Sequence, residues 1–379
     1  MRKLLPLIFI LLFTVSALSQ SPATTGSLGL FHSQESRVLM PGRWSFWANY
    51  NFFSSQGDYL GQPPQDSDVE KYSEAAANLS VSYGILRNLD ATLGIRAYQK
   101  TNHPNESNVP DDLFLTIKAG SFDFSYGHFA GAFWGTVLLP TGEVHNYPWA
   151  MYSSGSVEFG LFGGLSYYYN AYLPEKGLAF HFNAGWWNHN EKGKEIDIID
   201  ETTRTATQSS SELRMMMGTS VPAGPFNFMI EFWGGIYTTI PESFVYSAED
   251  YAFLSPAVRY KMTDWLAVDL GVDIRFSPGD RQRTSGVPDL SAQLDLPKNY
   301  PPWRVQIGLN FSILPAGVRS QYGGEAVDDP LLKRRLEFYE HVLAEKQRTD
   351  ALQKKNEEIR DLREEADEEI DKIRDELEY

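Results

Sequence analysis

The chain has 379 residues, a formal net charge of −16 and no cysteine, and its mean hydropathy is −0.34. The missing cysteines exclude disulfides and thiolate metal sites, and the acidic balance argues against nucleic acid as a partner. After residue 19, no apolar run approaches the roughly 18 residues that a transmembrane helix needs. The sequence therefore predicts no such helix.

The N-terminus has the pattern of a secretory signal peptide. Arg2 and Lys3 precede an apolar stretch from Leu4 to Val15, and small residues follow, so we expect cleavage before Gln20. We predict a signal peptide at 1–19 and an N-terminal periplasmic segment at 20–43. Within that segment, Gly29–His32 is interpreted either as a short extra strand or as a plug that lines the lumen of the barrel predicted next.

Strand-like segments fill the chain from Trp44 to Leu314, and their connections alternate between long and short. Tight turns at one end and long loops at the other are typical of bacterial outer-membrane barrels. We predict an all-β transmembrane up-and-down antiparallel β-barrel of about 12 strands over 44–314, with a C-terminal α-helical or coiled-coil tail. The predicted strands are Trp44–Phe53, Glu74–Tyr83, Leu89–Tyr98, Asp111–Ala119, Phe122–Leu139, Val157–Asn170, Gly177–Asn188, Ser211–Val221, Phe226–Thr238, Tyr251–Tyr260, Trp265–Phe276 and Trp303–Leu314.

Apolar and polar residues alternate within these segments. In Trp265–Phe276, for example, Leu270 shares one face with other apolar residues, whereas Asp269 and Asp273 share the opposite face. Segments of about 10 residues are long enough to cross a bilayer as tilted strands. An even number of strands places both ends of the barrel on one side, and short turns of such barrels face the periplasm. We therefore predict an outer-membrane protein of a Gram-negative bacterium whose C-terminal tail lies in the periplasm.

The inward-facing positions are the candidate functional residues, because any solute would have to pass them. Both charge signs are present, so the pattern indicates no preference for anions or cations. Opposite charges on neighbouring strands could form pairs that fill the lumen, or they could line a constriction that selects solutes by charge. The predicted lumen-lining residues are Asp90, Arg96, Lys118, Glu158, Arg214, Glu231, Arg259, Asp269, Asp273, Arg275 and Arg304.

Nothing in the sequence favours an enzyme. Among the histidines, His128 and His181 lie in predicted strands and His189 lies beside a long loop, but no serine-centred nucleophile motif accompanies them. The acidic run Glu195–Glu201 could hold a hard cation, yet it matches no complete ligand loop and is interpreted as solvated charge. We expect no catalytic residues, no metal site and no cofactor.

The chain changes character after Leu314. A linker is predicted at 315–329, and 330–379 has no glycine and is rich in Glu, Asp, Lys and Arg. Apolar residues recur there at helical spacing and form a narrow stripe, which is typical of a coiled-coil seam. The alternative is a lone solvated helix with salt bridges between its turns. The predicted seam residues are Ile359, Leu362, Ala366, Ile373 and Leu377.

The combination of a signal peptide, turns of the Tyr83–Asp90 type and a C-terminal extension resembles Gram-negative outer-membrane β-barrel proteins, in particular the OmpA-like architecture of a barrel followed by a periplasmic module. The resemblance covers 44–314 as a class. It implies a lipid-embedded barrel, but the sequence after Leu314 has no globular peptidoglycan-binding domain, so cell-wall binding is not implied.

Two functions fit this pattern. The first is a structural or tethering barrel in outer-membrane lipid, whose periplasmic helix pairs with a second copy of itself or with a periplasmic partner. The second is a passive, porin-like channel for small solutes. The sequence alone favours the first, because opposed charges at the inward positions could fill the lumen.

Overall fold

The computed structural model describes residues 22–23, 26–56, 71–102, 105–108, 111–142, 152–197, 203–242, 244–245, 249–263, 265–277 and 300–313. In the C-terminal segment it describes 342, 345–346, 348–349, 352–364, 366, 370 and 374. The predicted signal peptide and linker lie outside the described residues. The chain divides into two compact units, Met1–Arg319 and Ser320–Tyr379, and each is described by itself.

Twelve antiparallel strands form a closed barrel. Each strand pairs with the next in the sequence, the last pairs with the first, and the pairing of the second with the third completes the ring. The predicted strand number and direction are confirmed. The strands are β1 (Trp44–Gln56), β2 (Lys71–Leu86), β3 (Leu89–Asn102), β4 (Leu113–Phe124), β5 (Phe129–Leu139), β6 (Glu158–Tyr168), β7 (Ala179–Asn188), β8 (Ser211–Ala223), β9 (Phe226–Thr239), β10 (Tyr251–Lys261), β11 (Leu266–Arg275) and β12 (Trp303–Ile313).

The connections alternate as the sequence predicted. Two residues join β2 to β3 and two join β8 to β9, whereas 22 residues, 189–210, separate β7 from β8. We call the two rims the short-turn end and the long-loop end. Short strands Glu195–Asp197 and Thr203–Thr205 pair within the loop between β7 and β8, and Asn105–Asn108 extends the edge of β3.

One predicted turn is wrong. The sequence placed a connection at Gly120–Ser121, but β4 continues through these residues to Phe124, and a short 3-10 turn at Ser125–Gly127 leads into β5. The pairing of β4 with β5 is irregular between Ala119 and Phe122, and Ser121 has a positive φ of 58°. Gly120–Ser121 is thus a β-bulge, which interrupts the alternation of a strand without ending it.

The two faces of the barrel wall differ as the alternation predicted. Leu270 is 51% exposed and Ile307 is 48% exposed, while their neighbours Asp269 and Gln306 are buried. Large apolar side chains are exposed on the outer face of every sector, for example Leu93, Ile117, Phe133, Leu161, Phe182, Met217 and Ile230. A soluble protein rarely exposes so extensive an apolar surface, because its contact with water is unfavourable.

The N-terminal segment enters the barrel. Residues 26–43, which we call the plug, are bonded to inward-facing side chains of strands all around the wall: Ser27 N donates to Ser82 Oγ and Ser36 N to Ser166 Oγ, at 2.7 and 2.8 Å. The plug lies toward the short-turn end, where its Gly42 N donates to the carbonyl of Gly84 at 2.8 Å. Of the two interpretations of Gly29–His32, the contacts therefore support the plug.

Glycines in the wall make room for the plug. A Cβ on Gly84 would overlap the carbonyl oxygen of Met40, and one on Gly218 would overlap the hydroxyl of Ser33. Both positions face inward at the height of the plug. A larger side chain at Gly84 would meet the plug backbone, whereas one at Gly218 would meet the side chains of Ser33 and Leu30. The plug backbone therefore approaches the wall as closely as a neighbouring strand would.

In the C-terminal unit, residues 352–364 form a helix. The predicted seam residues Ile359 and Leu362 are exposed on it, Ala366 is also helical and exposed, and Ile373 and Leu377 lie outside the described residues. No helix among the described residues is long and apolar enough to cross a membrane. Coiled-coil pairing of this helix stays a prediction.

The topology is testable because the chain contains no cysteine. We expect a cysteine at Thr203, on the exposed short strand of the long-loop end, to react in intact cells with a maleimide that does not cross membranes. A cysteine at Lys176, which is equally exposed but lies in the 3-10 turn Pro174–Lys176 of the short-turn end, should react only after the cells are broken. The reverse labelling would invert the predicted orientation.

Candidate functional site

The lumen is the candidate site, and the plug occupies its short-turn half. Glu231 of β9 is the main anchor: its carboxylate accepts hydrogen bonds from the backbone N–H groups of Phe31, His32 and Ser33 at 2.9, 3.1 and 2.8 Å. The hydroxyl of Ser33 donates a fourth at 2.7 Å. Three consecutive plug amides thus converge on one buried carboxylate, as the amides of an anion-binding loop do.

A second anchor lies across the lumen on β3 and β4. Asp90 accepts hydrogen bonds from Ser27 Oγ at 2.6 Å and from Leu39 N at 3.0 Å, so it joins the two ends of the plug. Lys118, which is opposite Asp90 in the strand pairing, donates to the carbonyl of Glu35. Buried charges of opposite sign thus satisfy plug groups that have no strand partner.

A third anchor is the ion pair of Arg259 on β10 with Asp269 on β11. Two guanidinium N–H groups meet the carboxylate at 2.6 and 2.9 Å, and Nη1 donates to the plug carbonyl of Gly29 at 3.1 Å. On β7, the side-chain amide of Asn183 accepts from Gln34 N and donates to Gln34 O. That reciprocal pair imitates the bonding between two strands.

Toward the long-loop end of the barrel, the last plug residue is His32. Its ring stacks on Trp233 with centroids 4.1 Å apart, and its Nε2 lies 3.0 Å from Asp273 Oδ1. Asp273 also accepts from Arg304 at 2.8 and 3.1 Å and from Ser255 at 2.6 Å. This network lies against β9–β12 and forms a floor on that side of the barrel.

Beyond this floor lies a cavity of about 210 Å³, which we call the chamber. At 10–15 Å³ per water, it has room for roughly 14–20 waters or for a small organic molecule. Its lining combines charged side chains from several strands with aromatic rings. The lining residues that matter below are His32, Glu74, Arg96, Phe114, Glu158, Trp187, Arg214, Trp233, Tyr251 and Arg304.

Each arginine of the chamber is fixed between a ring and a carboxylate. Arg214 lies over Trp187, with Cζ 4.2 Å from the ring centroid, and its Nε donates to Glu212 at 2.7 Å. Arg304 lies 5.9 Å from the Trp233 centroid and is bonded to Asp273. Such stacking and pairing hold a guanidinium in one orientation.

The same arrangement is repeated on β3. Arg96 lies 5.6 Å from the Phe114 centroid, and its Nη1 is 3.3 Å from Asp111 Oδ2. Burial removes Asp111 from water and so raises the pKa of its carboxyl group, although the positive charge of Arg96 acts to lower that pKa. The three arginines are therefore preorganised around one cavity.

His189, just after β7, joins two buried carboxylates above the chamber. Its Nδ1 lies 2.9 Å from Glu158 and its Nε2 lies 3.6 Å from Glu212. Burial by itself lowers the pKa of His189, but the two carboxylates outweigh burial and raise the pKa to about 10. The imidazole is therefore an imidazolium at neutral pH, and it completes an ion network with Arg214.

The predicted lumen residues fall into three groups. Asp90, Lys118, Glu231, Arg259 and Asp269 hold the plug or its anchors; Arg96, Glu158, Arg214 and Arg304 line the chamber; and Asp273 joins the two. The remaining one, Arg275, donates to the carbonyl of Tyr300 near the long-loop end.

Sequence reasoning missed several residues of the site. Glu212 shares the inward parity of Arg214 two residues later, so the alternation could have found it. Glu74 stands at the first position of its predicted strand, where parity is least certain. His32 lies in the plug, whose irregular backbone has no periodicity to read. Among the described residues, no three metal-binding side chains are grouped as a metal site requires.

No protein-family model matches the chain, and no curated protein is significantly similar to it in sequence. Among solved structures, the NanC porin is 13% identical, over 70% of this chain and 98% of its own, with a TM-score of 0.42. The COG4313 outer membrane channel from Pseudomonas putida F1 is 12% identical, over 74% and 98%, with a TM-score of 0.46. The outer membrane channel DcaP of Acinetobacter baumannii is 8% identical, over 72% and 96%, with a TM-score of 0.32. TM-scores and sequence identities this low support no conclusion about function. The fold is established by the pairing of the chain's own strands.

The His189 network predicts a pH dependence of stability. Its folded pKa of about 10 exceeds the ordinary value of 6.5, so the stabilisation is complete below pH 6.5 and is lost as the pH rises through about 10. We expect urea unfolding of the barrel in detergent to show this loss, on the order of a few kcal/mol. His189→Gln, which does not titrate, is the control: an equal loss in that variant would exclude His189 as its source.

Proposed function

We propose that this protein is a non-enzymatic channel for small solutes in the outer membrane of a Gram-negative bacterium, closed on the short-turn side by its own plug. The observation that carries the proposal is the chamber. A barrel with only a structural role needs no cavity lined by ordered charges, because the desolvation of buried ion pairs is unfavourable and apolar side chains could fill the space instead. The exposed apolar belt of the outer face supports the membrane location.

The plug supports a gated rather than a permanently open channel. Each of its hydrogen bonds contributes a net stabilisation of roughly 0.5–1.5 kcal/mol, and Glu231 alone receives four. Together these bonds keep the resting lumen closed. No covalent bond fixes the plug, since the chain has no cysteine. Passage therefore requires part of the plug to move away from the wall, and we place this movement at the periplasmic face.

A disulfide between plug and wall tests this gate. A Cβ built on Gly218 lies 3.3 Å from the Cβ of Ser33, near the usual disulfide separation of about 3.5–4.5 Å. We expect the wild-type chain to give open steps in planar bilayers. The oxidised Ser33→Cys, Gly218→Cys variant should give none, and reduction should restore them.

Ser33→Cys alone, treated with the same oxidant, is the control and should conduct like the wild type. Unchanged conduction in the oxidised double variant would show that solutes bypass the plug. If neither the wild type nor a Glu231→Ala variant with a weakened anchor ever conducts, the channel proposal is wrong and the structural barrel is favoured instead.

A second role, tethering, is supported by the C-terminal helix. Leu352, Ile359 and Leu362 are 56%, 53% and 64% exposed on it, although leucine and isoleucine normally gain from burial. We propose that this helix lies in the periplasm and pairs with a second copy of the chain or with a periplasmic partner.

Sedimentation equilibrium of the full chain in detergent tests the self-pairing. We expect the protein mass per particle to exceed that of one chain, and a chain ending at residue 329 to sediment as a monomer. Ile359→Lys with Leu362→Lys should lower the association as the truncation does, because charge on both positions opposes burial of the stripe. A monomeric full chain would exclude self-pairing and would leave either a different protein as the partner or a lone solvated helix.

A further inference from the structure

The charges of the chamber are not equally accessible. In the three ion pairs, the side chains of Arg96, Arg214 and Arg304 are 13%, 19% and 11% exposed, whereas their carboxylate partners are 0%, 2% and 1% exposed. The carboxylates lie behind the guanidinium groups and orient them. A solute in the chamber therefore meets mainly guanidinium N–H groups, although carboxylates and arginines are similar in number around the lumen.

Each guanidinium also keeps donors that its carboxylate does not use. Arg214 and Arg304 bond their carboxylate partners through Nε and Nη2, so these carboxylates leave Nη1 unused. Arg96 uses only Nη1. Planar guanidinium N–H groups in fixed positions match the oxygens of a carboxylate.

The two carboxylates that line the chamber differ in their effect on an anion. Glu158 is already satisfied by His189, Trp187 and Ser154. Glu74 has no salt bridge within the described structure, and the positive charges that act on it are those of Arg304 and Arg96. It therefore offsets the attraction of those two arginines for an anion.

Glu74 does not offset the attraction of Arg214 for an anion in the same way. Glu74 lies on β2 and Arg214 on β8, which are six strands apart in a ring of twelve and so face each other across the lumen. Arg214 is also the most exposed of the three arginines. Among the three arginines of the chamber, Arg214 therefore offers the most favourable position for an anionic group.

Building on the proposed channel, we propose that the chamber is a binding site for a small organic carboxylate with a flat apolar body. Arg214 holds the carboxylate, and the apolar body lies in the part of the chamber that Trp187, Trp233 and Tyr251 border. Aromatic walls with a few fixed polar groups are typical of small-molecule sites. The chamber of about 210 Å³ accommodates a single substituted ring.

Three probes of one shape test the chemistry: benzoate, benzyl alcohol and benzylamine. Binding to the full-length protein in detergent is followed by calorimetry and by the fluorescence of the chamber tryptophans. We expect benzoate to bind about ten-fold or more tightly than the alcohol, and the amine to bind most weakly. Equal binding of all three, tighter binding of the amine or no binding of benzoate would overturn the proposal.

Variants of Arg214 and of a control residue test whether benzoate binds at Arg214. Arg214→Met with Glu212→Gln removes one charge of each sign, so that no lone buried charge threatens the fold. Benzoate affinity should fall about ten-fold or more in this variant, while the weak binding of the alcohol stays unchanged. Arg214→Lys keeps the charge but not the planar fork and should lie between the two. Arg275→Gln, at the long-loop end and outside the chamber lining, is the matched control and should bind like the wild type.

The binding experiment and the conduction experiment can fail independently of each other. Absence of benzoate binding, together with conduction that the plug disulfide abolishes, would leave the channel standing and refute the carboxylate site. Benzoate binding that depends on Arg214, in a protein that never conducts, would refute the channel and keep the site.

Discussion

The rest of the structure depends on one constraint: twelve strands close a lumen wider than the side chains of the wall can fill. Smaller barrels pack their interior with wall residues, and much larger ones leave an aqueous pore. Here the N-terminal segment occupies the part of the lumen toward the short-turn end. Because its backbone is irregular and buried, its N–H and C=O groups need partners, and charged wall side chains such as Glu231, Asp90 and Arg259 provide them.

This requirement explains the unusual interior. Charges that would be unfavourable in an apolar core are paired or bonded to the plug, so each one satisfies several groups at once. Glycines stand where the plug touches the wall: Gly84 lies against the plug backbone, and Gly218 lies against the side chains of Ser33 and Leu30. Beyond the plug, toward the long-loop end, charged side chains of the wall are paired in the same way, but the arginines there do not bond to the plug in the described structure. There Arg96, Arg214 and Arg304, each paired with a carboxylate, border a cavity instead.

The strand pattern, the alternation of turn lengths and the inward positions could be read from the sequence, because a strand in a wall with one apolar face has a period of two. That period correctly placed Asp269, Asp273 and Arg304 on the inner face. It failed at Gly120–Ser121, where the bulge interrupts the pairing while the strand continues. A bulge and a tight turn use similar residues. Here the pairing of β4 with β5 resumes at Phe122, and Ser121 N donates to the plug carbonyl of Ser36.

The sequence by itself thus determined the barrel and which side chains enter the lumen. Only the tertiary structure decided what those side chains do there. Whether Arg259 meets Gly29, whether Glu231 meets Ser33 and whether a cavity remains depend on contacts between strands and plug residues up to 274 positions apart. Periodicity describes one strand at a time, so it carries no information about which charges meet across the lumen.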